Sequence, residues 1–281
     1  MSLLAISILP VVVLGTYIYN KDKNKESKKL LAKLFLSGLL SIILTLIISG
    51  VLDSLFPILA ADSDNLNLYE LFFNVFFGVA LVEEFSKWIM VYKISYNHKE
   101  FDEVYDAIVY TTFVALGFAC FENILYVLEE GMYTGIIRAF TAVPGHTCDG
   151  VLMGYYLGLA KLYHLQNDNA KSKKNLALSL IVPTIAHGIY DYCAMSGNGL
   201  LIIGFIVFII FMFSHCKKTV KKIAQEERRL NNQNTVIQNN HQPINQTIEQ
   251  QNETPKTNNF CPNCGTKVES VYCPNCGTKN M

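Results

Sequence analysis

The 281-residue chain carries 23 basic and 23 acidic residues, so its formal net charge is zero and total charge offers no footing for a nucleic-acid partner. Hydrophobic residues make up 51% and charged residues only 16%. Several apolar runs reach the ~18–20 residues a spanning helix needs, which sets aside a soluble globular protein and predicts an all-α polytopic membrane protein.

The first run, residues 3–19, has no basic segment before it and no clear small-residue cleavage site after it, so it reads as a retained span and not a cleaved signal. Lys21, Lys23, Lys25, Lys28, Lys29 and Lys33 follow. Span two, 34–52, leads to a loop with Asp53, Asp62 and Asp64 and no lysine or arginine. Span three, 68–92, contains Glu83, Glu84 and Lys87 and exits into Lys93 and Lys99. Span four, 105–128, ends at Glu129-Glu130. Residues 135–163 are too long for one straight crossing and are interrupted by Pro144-Gly145, a break signal. This predicts a membrane-dipping piece to 143 and then span five, 146–162. Lys161, Lys171, Lys173 and Lys174 precede span six, 176–195, and a Ser196-Gly197-Asn198-Gly199 turn leads to span seven, 200–215, and to Lys217, Lys218, Lys221 and Lys222. Every second loop is lysine-rich, which places the N-terminus outside and the C-terminus in the cytoplasm of a multi-pass cell-membrane protein.

The ionisable residues inside the spans demand a reason, since each costs at least ~2.5–3.5 kcal/mol at membrane depth on insertion scales. At ~1.5 Å per residue, Glu83, Glu84 and His187 lie ~13–16 Å from the cytoplasmic ends of their spans, and Glu122, His146 and Asp191 ~22–25 Å. One polar slab from several helices is the result. Lys87, three residues after Glu84 and four after Glu83, can reach back to either carboxylate. Two adjacent carboxylates resist joint ionisation, which suits a pair that must offer one acid and one base. His187 and Asp191 share a helix face, so the carboxylate can orient the imidazole. Asp149 follows His146 by three residues, Asn123 follows Glu122, and Tyr126 shares the face of Glu122. Gly154 and Gly158 read as a small-residue packing face, Cys120, Cys148, Cys193 and Cys216 as small buried hydrophobes, and Arg138 as a partner for Glu129 or Glu130.

Beyond the spans, residues 217–230 read as a charged cytoplasmic helix or linker, and 231–259 as an Asn/Gln-rich tether too polar to bury a core. The division is 1–216 for the membrane domain, 217–259 for the linker and 260–281 for a terminal module. That module repeats Cys-Pro-Asn-Cys-Gly-Thr-Lys, and Cys261, Cys264, Cys273 and Cys276 supply four thiolates for a closed, structural zinc site. A protein partner is the expected role for such a ribbon, and Lys267 and Lys279 are too few to support nucleic acid.

Four motifs taken in order, Glu83-Glu84-x-x-Lys87, Phe121-Glu122-Asn123-x-x-Tyr126, His146 followed by Gly154-Tyr155-Tyr156-x-Gly158, and His187-Gly188-x-x-Asp191, resemble the PrsW family of intramembrane proteases over residues 1–215. More distantly, the chain resembles the CAAX prenyl endopeptidases. The resemblance implies hydrolysis of a peptide bond in or beside the bilayer, in a membrane-anchored protein substrate such as a bacterial anti-sigma factor. It implies Glu83, Glu84, Glu122, Asn123, His146, His187 and Asp191 as catalytic, while helical spacing alone makes Lys87, Asp149 and Tyr126 supporting residues, Asp149 as the partner of His146. Family members are described both as metalloproteases and as glutamate proteases. The sequence leaves both open: there is no His-Glu-x-x-His, yet histidines and carboxylates on separate helices could hold a catalytic metal. A proton- or ion-coupled transporter is the rival class, although only one helix break and no internal repeat speak for it. Lys87, nearer the cytoplasmic side, is expected to tune the glutamates and to matter less than either.

Overall fold

A computed structural model describes residues 3–61, 66–240 and 266–267. Nine α-helices make up most of it: α1 (Leu3–Lys21), α2 (Lys28–Leu55), α3 (Leu68–Phe73), α4 (Leu81–Ser95), α5 (Val104–Glu130), α6 (Met132–Phe140), α7 (Ala142–Leu165), α8 (Asn169–Met195) and α9 (Gly199–Asn240). A 3-10 turn, Pro57–Leu59, follows α2, and a π-helical stretch, Asn74–Ala80, joins α3 to α4. The chain divides into two units, residues 1–236 and 237–281. The expected zinc ligands, Cys261, Cys264, Cys273 and Cys276, lie outside the described residues.

Among the described residues, five helices, α1, α2, α5, α8 and α9, are long and apolar enough to cross a membrane. The sequence reading expects seven. The two further runs, 68–95 and α7, are those that carry Glu83, Glu84, Lys87, His146 and Asp149, and these polar residues lower their apolar character. Large apolar side chains such as Leu46, Ile47, Leu200, Ile210 and Phe211 face outward, a surface suited to lipid and not to water.

Helix α5 is the hub. It packs against α1, α2, α4, α6 and α7, and 72% of its apolar window is buried, against 28% for α1 and α2. Close approach depends on glycine. A Cβ at Gly38 of α2 would lie 2.1 Å from the Val114 carbonyl oxygen, and one at Gly117 of α5 would lie 2.1 Å from that of Phe35. Against α7, a Cβ at Gly154 would lie 2.4 Å from Thr111 Oγ1 and one at Gly158 2.8 Å from Val104, so these two glycines do form a packing face. Cys120, Cys148, Cys193 and Cys216 are buried free thiols.

Two boundaries differ from the expected ones. Helix α7 runs through Pro144 and Gly145, and the chain turns earlier, at Thr141. Proline is tolerated there because, in a first helical turn, it removes only an N–H that would have no intrahelical acceptor. The segment expected to dip into the membrane forms the separate helix α6, entered through Gly131, whose φ of +86° lies in the left-handed region that favours glycine. Helix α9 continues to Asn240, into the stretch read as a linker.

Contacts gather the lysine-rich connections at one end. Asn24 Nδ2 donates to Glu103 Oε1 at 2.7 Å, Lys161 Nζ to the Tyr96 carbonyl at 2.7 Å, the Tyr105 N–H to Glu227 Oε1 at 2.7 Å and Arg228 to the Lys21 carbonyl at 3.3 Å.

The α2–α5 crossing yields the first prediction. Gly38→Leu and Gly117→Leu should each lower stability by about 1–3 kcal/mol or more, as overpacking does, while Gly50→Leu, where a Cβ meets nothing within 4 Å, should stay within about 0.5 kcal/mol. Thermal unfolding in detergent micelles reads both.

Candidate active site

The site begins with the π-helical stretch. Its wider turns, frequent at functional sites, precede α4 and help set which face of α4 turns inward. Asn74 anchors it by donating to the carbonyls of Ile58, Leu59 and Ala61 at 3.0–3.3 Å. Phe76 packs directly on Gly188 of α8, where a Cβ would lie 2.6 Å from the ring. One residue before that contact stands His187. The register thus turns Glu83, Glu84 and Lys87 to the interior.

Lys87 is 1% exposed, and its ammonium is the meeting point of the site. It lies 2.6 Å from Glu84 Oε1, 3.4 Å from Glu83 Oε2 and 3.3 Å from His146 Nδ1, and 4.2 Å from the centre of the Phe118 ring. An ammonium taken out of water keeps its charge only with such partners.

Both imidazoles are held at both nitrogens. His187 Nδ1 is 2.9 Å from Glu84 Oε1, while its Nε2 is 3.1 Å from Asp191 Oδ2 and 3.8 Å from Glu83 Oε2. This suits a ring that donates from both nitrogens. His146 Nε2 is 2.8 Å from Glu122 Oε2, and its ring stands edge-on to that of His187 at 5.2 Å. Glu122 also accepts from Arg138 Nη2 at 2.9 Å.

A cavity of about 160 Å³ is lined by Glu83, Glu122, His146, Asp149, His187 and Asp191, with Tyr126, Arg138, Tyr190, Met195 and Met212 among its other walls. The structure therefore brings together Glu83, Glu84, Glu122, His146, His187 and Asp191, with Lys87, Asp149 and Tyr126 beside them. Asn123 does not join them. It is fully buried against α1, its Nδ2 donating to the Ser7 carbonyl at 3.2 Å and its Oδ1 accepting from Arg138 Nε at 3.2 Å.

Arg138 corrects an expectation. It pairs with Glu122, not with Glu129 or Glu130, because α6 lies back across the end of α5 and brings the guanidinium over the Tyr126 ring at 3.8 Å. One signal was available: Arg138 is the only lysine or arginine between Lys99 and Lys161, so any carboxylate in that stretch needing a cation had one candidate.

The donor chemistry also fits a metal ion. One ligand atom from each of Glu84, His146, Asp149 and His187 lies within 4.8 Å of the others. Glu84 Oε2 and Asp149 Oδ1 are buried and, among the described residues, have no hydrogen-bond partner. Two imidazoles and two carboxylates are a donor set that zinc accepts.

A family profile described as PrsW family intramembrane metalloprotease matches residues 26–215. The chain is similar to Protease PrsW of Oceanobacillus iheyensis, 39% identical over 192 residues, which is 68% of this chain and 82% of that protein. It is similar to Protease PrsW of Geobacillus kaustophilus, 44% identical over 123 residues, or 44% of this chain and 52% of that one. Protease PrsW of Shouchella clausii is 29% identical over 227 residues, or 80% and 98% of the two lengths. No solved structure matches. With its apolar helices, and with Glu83, His146 and His187 around one cavity and Glu84 buried beside it, the chain belongs to the PrsW family of intramembrane proteases.

Proposed function

We propose that the protein is an endopeptidase that hydrolyses a peptide bond in or near the membrane segment of a single-span protein, of the anti-sigma-factor kind, with Glu83 activating the water. The observation that carries this reading is the division of labour within the glutamate pair. Glu83 lines the cavity, whereas Glu84 is turned to Lys87 and His187 and is wholly buried. A carboxylate facing the cavity can take the proton of a water attacking a carbonyl held there. Glu84 then holds Lys87 and His187 in place. His187, gripped by Glu84 and Asp191, stands where it can give a proton to the departing amine, and His146, held between Glu122 and Lys87, keeps the same wall in place.

An ion held by Glu84, His146, Asp149 and His187 would polarise the carbonyl and acidify a bound water. The matching profile, described as one of metalloproteases, supports that version. The relation to CAAX prenyl endopeptidases rests on the same Glu-Glu motif and later histidines. The lysine pattern supports an outer N-terminus and seven crossings, in which 68–95 and α7 also span, and the four terminal cysteines support a structural zinc ribbon that binds a protein partner. Family membership favours proteolysis over ion transport.

Glu83→Gln and Glu84→Gln should each reduce cleavage of a single-span reporter in membranes by about 10²-fold or more. Wild-type cleavage by both variants would sink the assignment. Chelation of the purified protein should abolish cleavage and added zinc restore it, equally in Cys261→Ser/Cys264→Ser protein, which separates the cavity from the ribbon. Cleavage that persists through chelation would assign the chemistry to Glu83 and the histidines without a metal.

The geometry revises the expectation for Lys87. Removing an ammonium that serves two buried carboxylates leaves them uncompensated, at a cost of about 3–5 kcal/mol. Lys87→Met should therefore lose both activity and thermal stability, and Lys87→Met/Glu84→Gln should regain stability without activity.

A further inference from the structure

A second group of carboxylates lies at the opposite end of α5 from Glu122. Asp22 and Glu26 come from the connection between α1 and α2, and Asp106 from the first turn of α5. They are 4%, 7% and 0% exposed, and one oxygen of each lies within 4.8 Å of the other two. The active site uses none of them.

Part of this charge is satisfied within the protein. Asp106 Oδ2 accepts from the backbone N–H groups of Asp102 at 3.0 Å and Glu103 at 2.7 Å, and the Tyr110 hydroxyl donates to Glu26 Oε2. The remainder is not. Both oxygens of Asp22, and Oδ1 of Asp106, are out of solvent contact and have no hydrogen-bond partner among the described residues. The backbone N–H groups of Asn24 and Glu26 draw the Asp22 carboxyl down but do not offset its burial. Lys25, whose charge also acts on Asp22, directs its ammonium to the Tyr19 carbonyl at 3.0 Å and over the Tyr19 ring. Glu100 and Glu103 add negative charge nearby. Burial raises the Asp22 carboxyl to about 6 and the Glu26 carboxyl to about 7, the direction expected of anions enclosed without enough cationic charge.

Buried acceptors aimed at one another from two chain segments are an arrangement a cation stabilises. The ligands are all oxygen, with no imidazole or thiolate among them, which selects a hard ion and disfavours zinc or copper. Ligand oxygens up to about 5 Å apart can share one calcium ion at its bond lengths of ~2.3–2.6 Å. We propose that Asp22, Glu26 and Asp106 form a binding site for a hard divalent cation, calcium or magnesium, which ties the α1–α2 connection to the first turn of α5. The site is separate from any metal in the catalytic cavity. Asp106 and Glu122 are sixteen residues apart along α5, about 24 Å of helix.

The test uses the purified full chain in detergent micelles and Tb³⁺ as the probe, with excitation of tyrosine. Tyr110 donates to Glu26, so an ion at this site should give tyrosine-sensitised luminescence. Calcium and magnesium are then added in separate titrations, and the one that displaces Tb³⁺ at the lower concentration is the preferred occupant. Asp22→Asn and Asp106→Asn should each weaken Tb³⁺ binding about tenfold or more, and Glu84→Gln should leave it unchanged. In parallel, the competing cation should raise the unfolding temperature of the wild type but not of Asp22→Asn. That variant removes a buried anion and keeps its shape, so it should remain folded. The proposal is overturned by any of three results: no sensitised signal in the wild type, a signal that both Asn variants retain at full affinity, or a signal lost in Glu84→Gln but kept in Asp22→Asn. An unfolding temperature insensitive to both cations in the wild type, with a rise in Asp22→Asn under chelation, would also overturn it, by making the group a proton-sharing cluster.

Discussion

The ammonium of Lys87 is enclosed by Glu83, Glu84, His146 and the Phe118 ring, and the rest of the membrane domain can be understood as what is needed to keep it there. A charge in the interior of a bundle loses several kcal/mol of hydration, and only close counter-charges in sound geometry compensate. Those counter-charges come from its own helix at three and four residues, while the histidines come from α7 and α8. Each is then committed. Glu84 serves both Lys87 and His187, and His146 serves both Lys87 and Glu122. No partner can move without leaving another buried polar group unsatisfied, which is how a polar network gives a membrane bundle one arrangement and not several.

This constraint explains features of the backbone that look unrelated to chemistry. The polar helices must come close enough for contacts near 3 Å, so side-chain bulk is removed where they cross: Gly154 and Gly158 between α7 and α5, Gly38 and Gly117 between α2 and α5, Gly188 against Phe76. The π-helical stretch rotates α4 so that two adjacent glutamates, which point about 100° apart on an α-helix, both find cationic or imidazole partners. Straight helices with ordinary residues would hold the same groups further apart, and the ammonium would then have no adequate environment.

Much of this was legible in the sequence because the cost of burying charge is so high. Glu83, Glu84, Lys87, His187 and Asp191 announce themselves as charges in apolar runs, and their spacings of three and four residues describe contacts that the helix geometry produces. The positions at helix ends were harder to read. Pro144-Gly145 signals a break by composition alone, but the same pair suits a first turn, and only the surrounding packing shows that the chain turns at Thr141. Asn123 follows Glu122 and shares its motif, yet the ~100° between neighbours on a helix sends it to Ser7 and Arg138, away from the cavity. Adjacency in sequence therefore misleads where helical direction decides. The partner of Arg138 depended on how α6 folds back on α5, a long-range fact that no local spacing carries.

The buried carboxylates differ in how their charge is balanced, and this difference separates their roles. Glu83 and Glu84 are balanced by Lys87, at a distance fixed by the helix they share. Glu122 is balanced by Arg138 from one neighbour and His146 from another, so its environment depends on α6, the short helix whose exposed Tyr133 and Phe140 mark it as a surface element. Compensation by a residue on a peripheral helix is more easily altered than compensation by a residue one turn away. Among the described residues, Asp106 accepts from backbone N–H groups and Asp22 has no hydrogen-bond donor. A buried carboxylate has only a few ways to be stable: a fixed cation, donated hydrogen bonds, a proton or a bound ion. At Lys87 the protein provides the first; at Asp22 the described residues provide neither a contacting cation nor a hydrogen bond, and the choice between proton and ion passes to the solution around the protein.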